Sequence, residues 1–123
     1  MINTTIARER EDVFPVLLRS TIHMRGIDKK LVERVMLGKE KYGEALKTFN
    51  GRDALKDLEE EILDALFYST QYKMELKRVE GEEISGSFYT EYVQATHILV
   101  QLKEVYESIQ KLRKMRGEEV GHG

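Results

Sequence analysis

Three carboxylates near the middle of the chain have the spacing of a metal-binding stripe on a helix. Asp57, Glu61 and Asp64 follow one another at i, i+4 and i+7, so they share one face of a helix. Tyr68 continues the same face at i+11. The adjacent stripe is apolar and contains Leu55, Leu58, Ile62, Ala65 and Tyr72. We therefore expect these carboxylates at the edge of the core, not out in solvent, where their mutual repulsion favours a bound cation.

Three glutamates on the preceding segment repeat this arrangement. Glu33, Glu40 and Glu44 are spaced at i, i+7 and i+11, which also places them on one face of a helix. Two antiparallel helices that turn such faces toward each other would form a cleft lined by carboxylates. Mg²⁺ or Mn²⁺ would be the usual occupant, because both ions prefer oxygen ligands. The alternative is a pair of solvated acidic faces, which is the usual explanation for charge stripes on helices.

The composition favours one small all-α domain over residues 1–123. Charged residues make up 34% of the 123 residues, with one proline and no tryptophan or cysteine, which suits helices and excludes disulfides. The formal net charge of -2 argues against a nucleic-acid coat or a membrane-surface protein. Because no apolar run reaches the length of a membrane span and the N-terminus lacks a signal-peptide core, we expect a cytoplasmic protein.

The N-terminal segment, residues 1–27, is predicted to contain one short helix. This helix, over Asn3–Arg19, would begin with Thr4 or Thr5 as its N-cap, and Pro15 would break or restart it. The segment carries no motif that indicates a function.

The acidic faces belong to a predicted helical hairpin over residues 28–80. Its first helix, Asp28–Leu46, would have its first residue as N-cap. The Asn-Gly pair within Thr48–Arg52 indicates a loop. The second helix, Asp53–Glu80, would again be capped by its first residue and would stop at Gly81.

A long C-terminal helix, residues 87–116, is predicted after a Gly- and Ser-containing linker, Glu82–Ser87, and should stop at Gly117. Its apolar stripe consists of Tyr92, Ala95, Leu99, Leu102, Tyr106 and Ile109, widened by Ile98, Val105 and Leu112. His97 lies amid this stripe and is predicted to be a hydrogen-bonded core residue. The histidines His23, His97 and His122 have no metal-ligand spacing among them.

The second helix of the hairpin has an additional apolar side formed by Leu63, Phe67 and Met74. A helix that is apolar on two sides is packed between layers, so we expect the second layer to come from another copy of the chain. The predicted fold is therefore an all-α helical bundle with a central acidic hairpin, assembled as a homodimer or homotetramer.

Four residues at the start of the second helix and along it are candidate substrate contacts. Arg52 and Lys56 lie near a helix N-terminus, where anions are favoured, although a surface ion pair is the alternative. Asn50 could hydrogen-bond a base or a sugar, but Asn-Gly also forms turns. Tyr68 could stack on a base, as could Tyr42 and Tyr72, whereas tyrosines at helical spacing more often belong to a core.

Three elements of the central stretch form a pattern with a known counterpart. They read Lys41-Tyr42-Gly43, then Phe49-Asn50-Gly51-Arg52-Asp53-Ala54-Leu55, then Glu60-Glu61 with Asp64. This pattern, within residues 39–71, resembles the MazG-like group of all-α nucleoside triphosphate pyrophosphohydrolases, most closely its phage-encoded members. The family has a paired ExxE on the earlier helix, whereas this chain has Glu40 and Glu44 four residues apart.

The resemblance implies a set of site residues. The implied ligands of Mg²⁺ or Mn²⁺ are Glu40, Glu44, Glu61 and Asp64, with Glu60, Asp57 and Glu33 as further candidates. A carboxylate that is not fully used as a ligand, Glu44 or Glu40, would orient the attacking water as general base.

The resemblance also implies hydrolysis of nucleoside triphosphates at the α-phosphorus, giving a monophosphate and pyrophosphate. Phage relatives are associated with dATP and dGTP, in some cases in pools that replace adenine by 2-aminoadenine, which implies the cytoplasm of a bacterial host. Alternatives are a pyrimidine substrate such as dUTP or dCTP, a damaged nucleotide, or a non-catalytic helical adaptor that uses its last helix as a coiled-coil-like seam. A nucleic-acid-binding module is least favoured, because the basic cluster Arg113, Lys114 and Arg116 sits at one helix end.

Overall fold

The structure is a computed structural model that describes residues 8–79 and 86–118. These two ranges contain four helices and no β-strand: α1 Val13–Thr21, α2 Ile27–Tyr42, α3 Ala54–Val79 and α4 Gly86–Met115. The predicted all-α class is thus confirmed for this part of the chain. None of the four helices is long and apolar enough to cross a membrane. The chain divides into two compact units, Met1–Arg52 and Asp53–Gly123, and α2 and α3 belong to different units.

In the first unit, α1 begins at Val13 and packs against α2. Pro15 is the third residue of α1, where the missing N–H has no intrahelical partner to lose. The N–H of Val13 donates to the Leu46 carbonyl oxygen at 3.1 Å, so the start of this helix depends on a distant segment. The helix predicted over Asn3–Arg19 was therefore wrong for residues 8–12, which are not helical. The predicted caps, Thr4 and Thr5, lie outside the described residues.

Helix α2 begins after Gly26, so the predicted N-cap, Asp28, lies inside its first turn. A carboxylate there is still favourable, because the N-terminus of a helix carries partial positive charge. The helix stops at Tyr42, four residues before its predicted end at Leu46, because Gly43 adopts a left-handed conformation with φ 83°. Glu44 is consequently not part of the helix, and the prediction that it shares a helix face with Glu33 and Glu40 was wrong.

Two short segments of the first unit pair in antiparallel fashion. We call residues 10–13 the strap and residues 44–48 the motif segment. Asp12 of the strap forms an isolated bridge with Lys47 of the motif segment. The N–H of Thr48 donates to the Glu11 carbonyl oxygen at 2.9 Å, and the Thr48 hydroxyl oxygen accepts the Glu11 N–H at 2.9 Å. These bonds fix the register between the strap and the motif segment.

The first unit also contains an apolar groove of about 190 Å³ between α1, α2 and the motif segment. It is lined by Val13, Phe14, Leu17, Leu31, Arg34, Val35, Gly38, Ala45 and Leu46. Leu31 and Val35 belong to the apolar stripe predicted for α2, and both are half-buried. The groove is therefore the place where the apolar sides of α1 and α2 meet.

The turn before α3 has the structure that its sequence predicts. The side-chain oxygen of Asn50 accepts the Arg52 N–H at 3.0 Å, and Gly51 has a positive φ of 84°, as an Asn-Gly turn requires. The carboxylate of Asp53 accepts the Lys56 N–H at 3.1 Å, which makes Asp53 the N-cap of α3 as predicted. The predicted end of this helix at Glu80 and Gly81 lies outside the described residues.

In the second unit, α3 and α4 pack as an antiparallel pair. Tyr72, late in α3, donates its hydroxyl hydrogen to Glu91, early in α4. At the opposite end, Glu59 of α3 pairs with Arg113 of α4. The most buried apolar residues of this helix pair are Leu76, Ala95 and Ile109.

The apolar stripe predicted for the last helix is confirmed. All six of its residues, Tyr92, Ala95, Leu99, Leu102, Tyr106 and Ile109, are buried or half-buried, whereas the widening residues Ile98, Val105 and Leu112 stay exposed. The predicted linker Glu82–Ser87 overlaps the helix by two residues, because α4 begins at Gly86; its remainder lies outside the described ranges. Gly117, with φ 76°, ends α4 as predicted.

Replacing Ile109 by Ala should lower the free energy of unfolding by about 2–5 kcal/mol, because the side chain is only 2% exposed and its loss leaves a cavity. Urea denaturation followed by circular dichroism measures this change. The matched control is Ile98→Ala on the same helix, where the side chain is 44% exposed. The control should lose about 1 kcal/mol or less, and equal losses in the two variants would contradict the described packing of α4.

Candidate functional site

The three carboxylates predicted to share one face of a helix do so on α3. Asp57, Glu61 and Asp64 all lie within the helix, so the predicted shared face exists. Asp57 is half-buried, whereas Glu61 and Asp64 are exposed. The expectation that all three lie at the edge of the core was therefore wrong for Glu61 and Asp64, because α4 packs against a different side of α3.

The run of three glutamates at residues 59–61 separates into different environments. Glu59 points toward α4, where its carboxylate accepts hydrogen bonds from the side chains of Arg113 and Gln110. The hydrogen bond and the negative charge of Glu59 hold the pKa of Arg113 above its usual value. Glu60 and Glu61 are both exposed and project about 100° apart around the helix. Glu59, for which no role was predicted, thus stabilises the packing of α3 against α4, and its two neighbours remain the candidate ligands.

Glu44 lies in the motif segment and forms an ion pair with Arg10 of the strap. The Nη2 atom of Arg10 donates to Oε1 of Glu44 at 2.8 Å. This hydrogen bond, together with the positive charge of Arg10, lowers the pKa of the Glu44 carboxyl. Arg10 was not predicted as a site residue, because it lies 34 residues away from Glu44 and belongs to no motif.

The other two glutamates predicted as metal ligands in the first unit, Glu33 and Glu40, are exposed on α2. They and Glu44 belong to the first unit, whereas the carboxylates of α3 belong to the second. The predicted cleft between α2 and α3 therefore stays a prediction. Within residues 8–79 and 86–118, no three His, Asp or Glu side chains are grouped closely enough to hold a metal ion.

The chemistry of the α3 donors nevertheless suits a hard divalent ion. Glu61 and Asp64 are three residues apart, so their side chains are neighbours on the helix surface. Both carboxylates are exposed and can supply oxygen ligands without first breaking a buried contact. These two residues fit the metal prediction by type and by position.

The residues predicted to contact the substrate differ in their hydrogen bonding and exposure. Asn50 uses its side-chain oxygen to form the turn before α3, which was the alternative explanation of the Asn-Gly pair. Lys56 lies in the first turn of α3 with its side chain exposed. Tyr68 is 69% exposed and continues the carboxylate stripe of α3. Tyr42 and Tyr72 are also exposed, so none of the three tyrosines is a core residue in this chain.

Phe49 and His97 have surroundings that the sequence did not predict. Phe49 has a positive φ of 50°, which is uncommon for a residue other than glycine, and the guanidinium of Arg8 lies 5.1 Å from its ring centroid. The prediction that His97 is a core residue was wrong, because its side chain is exposed. His97 follows the buried Ala95 by two residues, which turns it about 200° around α4 and away from α3.

Comparison with protein-family models, with curated proteins and with solved structures found no match to this chain. The motif residues 41–64 span the end of α2, the turn and the first half of α3. The likeness to the MazG-like group thus depends on these motifs and stays a prediction.

Replacing Glu59 by Gln should lower the melting temperature by several degrees, because the variant loses the charge that pairs with Arg113. Glu60→Gln is the matched control, since it makes the same chemical change at the next, exposed position and should leave the melting temperature almost unchanged. Thermal unfolding by circular dichroism compares the two. A larger effect at Glu60 would contradict the assignment of Glu59 to packing.

Proposed function

We propose that this chain hydrolyses nucleoside triphosphates, preferentially the purine deoxynucleotides dATP and dGTP, to a monophosphate and pyrophosphate with the help of Mg²⁺ or Mn²⁺. The observation that carries the proposal is the pair Glu61 and Asp64, exposed on one face of a continuous helix that begins at the capped motif turn. Neighbouring carboxylates of this kind can bind one hard ion together. The substrate class comes from the motifs that surround them.

The reaction requires a water oxygen to form a bond with the α-phosphorus while the bond from that phosphorus to the α,β-bridging oxygen breaks. Pyrophosphate leaves with the electrons of that bond. A bound divalent ion would lower the pKa of the water and neutralise charge on the phosphates. The proton of the water passes to a carboxylate of the chain, for which Glu44 and Glu40 are the candidates.

The order of groups along α3 suits an extended nucleotide. Tyr68 is exposed about two turns, or roughly 10 Å, from Glu61 toward the C-terminus. A base stacked on Tyr68 would direct the phosphates along the stripe toward the N-terminus of α3, where partial positive charge and Lys56 favour anions. Arg52, in the turn before α3, is a further proposed phosphate contact.

The proposal is tested by product analysis with the eight common nucleoside triphosphates, each with Mg²⁺, with Mn²⁺ and with a chelator. We expect pyrophosphate and monophosphate only when metal is present, with dATP and dGTP ranked first. Asp64→Asn should reduce turnover at least about a hundredfold and abolish the rise in melting temperature caused by Mn²⁺.

Glu107→Gln is the matched control for Asp64→Asn, because it neutralises an exposed carboxylate on α4. It should retain both turnover and the Mn²⁺ response. Survival of every nucleotide in all conditions would contradict the proposed reaction, and an undiminished Mn²⁺ response in Asp64→Asn would contradict the assigned site.

We also propose that the protein works as a homodimer or as a homotetramer built from dimers. Leu63, Phe67 and Met74 form an apolar face of α3 on which the side chains are 38%, 76% and 60% exposed. An uncovered apolar face of this kind on a two-sided helix is typical of an interface. A second copy of α3 would cover it with residues of the same type.

Replacing Phe67 by Glu should convert the assembly to monomers, because it places a charge at the centre of the proposed interface. Analytical ultracentrifugation of wild type and variant at equal concentrations measures the mass. Met115→Glu, at an 83% exposed position outside this face, is the control and should keep the wild-type mass. A monomeric wild type, or an assembled Phe67→Glu variant, would overturn the proposed interface.

One observation favours the adaptor as the second candidate. Ile98, Val105 and Leu112 recur every seven residues on α4 and are 44%, 40% and 48% exposed, which is the pattern of a coiled-coil seam. An adaptor with merely solvated acidic faces should show no change in melting temperature with Mn²⁺. The metal response described above therefore distinguishes the two candidates.

A further inference from the structure

The apolar groove of the first unit leaves part of its lining in contact with solvent. Leu17 of α1 and Leu46 of the motif segment both line the groove and are 40% and 63% exposed. Leu31 and Val35, on the α2 side, are half-buried. An apolar group bound between these side chains would remove apolar surface from water, which is favourable. The groove is thus suited to the apolar part of a ligand.

Gly38 widens the groove on the α2 side. It lies inside the helix, where glycine is less favourable than alanine because it loses more conformational freedom on folding. A Cβ atom built at this position would meet no described atom within 4 Å beyond its own stretch of helix. Local packing therefore does not require a glycine here, and the space beside it is available to a ligand.

Arg34 places one positive charge at this groove. Among the described residues, it is the only polar side chain in the lining. Its guanidinium forms no hydrogen bond or ion pair within residues 8–79 and 86–118. The positions three and four residues away on α2 are Lys30, Leu31, Leu37 and Gly38, so this helix places no carboxylate beside it. An anionic group could therefore bind Arg34 without displacing an existing partner.

The size of the groove limits what can occupy it. An apolar cavity of about 150 Å³ is enough for a benzene ring, so a groove of about 190 Å³ holds one ring with a short chain. A partner helix would need several apolar anchors in a row, and a stable protein interface needs about 800 Å² from each side. A purine base is also unsuited, because the apolar lining would leave most of its donors and acceptors unpaired.

We propose that the groove binds a small aryl or alkyl carboxylate, whose apolar group lies between α1 and α2 and whose carboxylate accepts hydrogen bonds from Arg34. A planar guanidinium suits a carboxylate because two parallel hydrogen bonds can form. This inference goes beyond the proposed hydrolysis and does not rest on it, since every residue of the groove belongs to the first unit.

The test is a titration of the ¹⁵N-labelled full chain with 4-phenylbutanoate, followed by NMR of the backbone amides. We expect the amide signals of Leu17, Val35 and Leu46 to shift, with a dissociation constant of about 1 mM or lower for a ligand of this size. The amide signals around Ile109, in the second unit, should stay unchanged.

Two further compounds separate the contributions of charge and apolar surface. 4-Phenylbutylamine carries the same ring and chain with the opposite charge, and it should bind about five-fold more weakly or worse, because Arg34 repels it. Acetate has the carboxylate without the apolar group and should shift none of the groove signals. Equal binding of the amine and the carboxylate would overturn the assignment of Arg34 as the anion contact.

Gly38→Leu should weaken binding of 4-phenylbutanoate at least about ten-fold, because its side chain takes the space of the ligand. Met36→Leu, at an exposed position of α2 outside the groove, is the matched control and should bind as wild type does. Arg34→Gln should weaken binding about two- to five-fold. Its control is Arg25→Gln, the same change in the exposed turn before α2, which should leave binding unchanged.

Undiminished binding in Gly38→Leu, or signal shifts confined to the second unit, would overturn the location of the site. The absence of any shift in the first unit would overturn the inference as a whole. Circular dichroism of each variant verifies that the helices are retained. Asp64→Asn should bind 4-phenylbutanoate as wild type does, and Gly38→Leu should keep the Mn²⁺ response, so this inference and the proposed hydrolysis fail or stand separately.

Discussion

The packing of α4 against α3 determines which surfaces of the second unit are available for chemistry. Apolar contacts around Ile109 and Ala95, with the Glu59–Arg113 ion pair at one end and the Tyr72–Glu91 hydrogen bond at the other, hold one side of α3. Because a helix side chain turns about 100° per residue, fixing that side also fixes the direction of every other residue. The exposure of Glu61 and Asp64 is thus a consequence of α4.

In the first unit, a single glycine determines where the chain leaves α2. Gly43 takes a left-handed conformation that a side chain would disfavour, and the chain leaves α2 there. The residues that follow then pair with the strap instead of extending the helix. This brings Glu44 to Arg10 and places it outside the helix that carries Glu40, so two glutamates that are close in sequence have different surroundings.

Local signals in the sequence were sufficient to predict much of the fold. The Asn50–Gly51 turn, the Asp53 cap and the Gly117 stop were predicted correctly because each depends on bonds within a few residues, and the buried stripe of α4 follows from its periodicity. The start of α1 and the partner of Glu44 were not predicted, because both depend on pairing between segments more than 30 residues apart. The α3 stripe was predicted by position, but its exposure was not.

The three consecutive glutamates of α3 show that the rotation of this helix about its own axis, relative to α4, is fixed. Asp53, as N-cap, determines where the helix begins. Of the three consecutive glutamates, Glu59 is the one that pairs with Arg113. Deleting one residue between Asp53 and Glu59 would bring Glu60 opposite Arg113 and rotate the whole acidic stripe by about 100° relative to α4. Substitutions on the stripe change one group at a time, whereas insertions and deletions in the first turn redirect all of them. Length variation should therefore be accommodated in the loop before Asp53 and not within the helix.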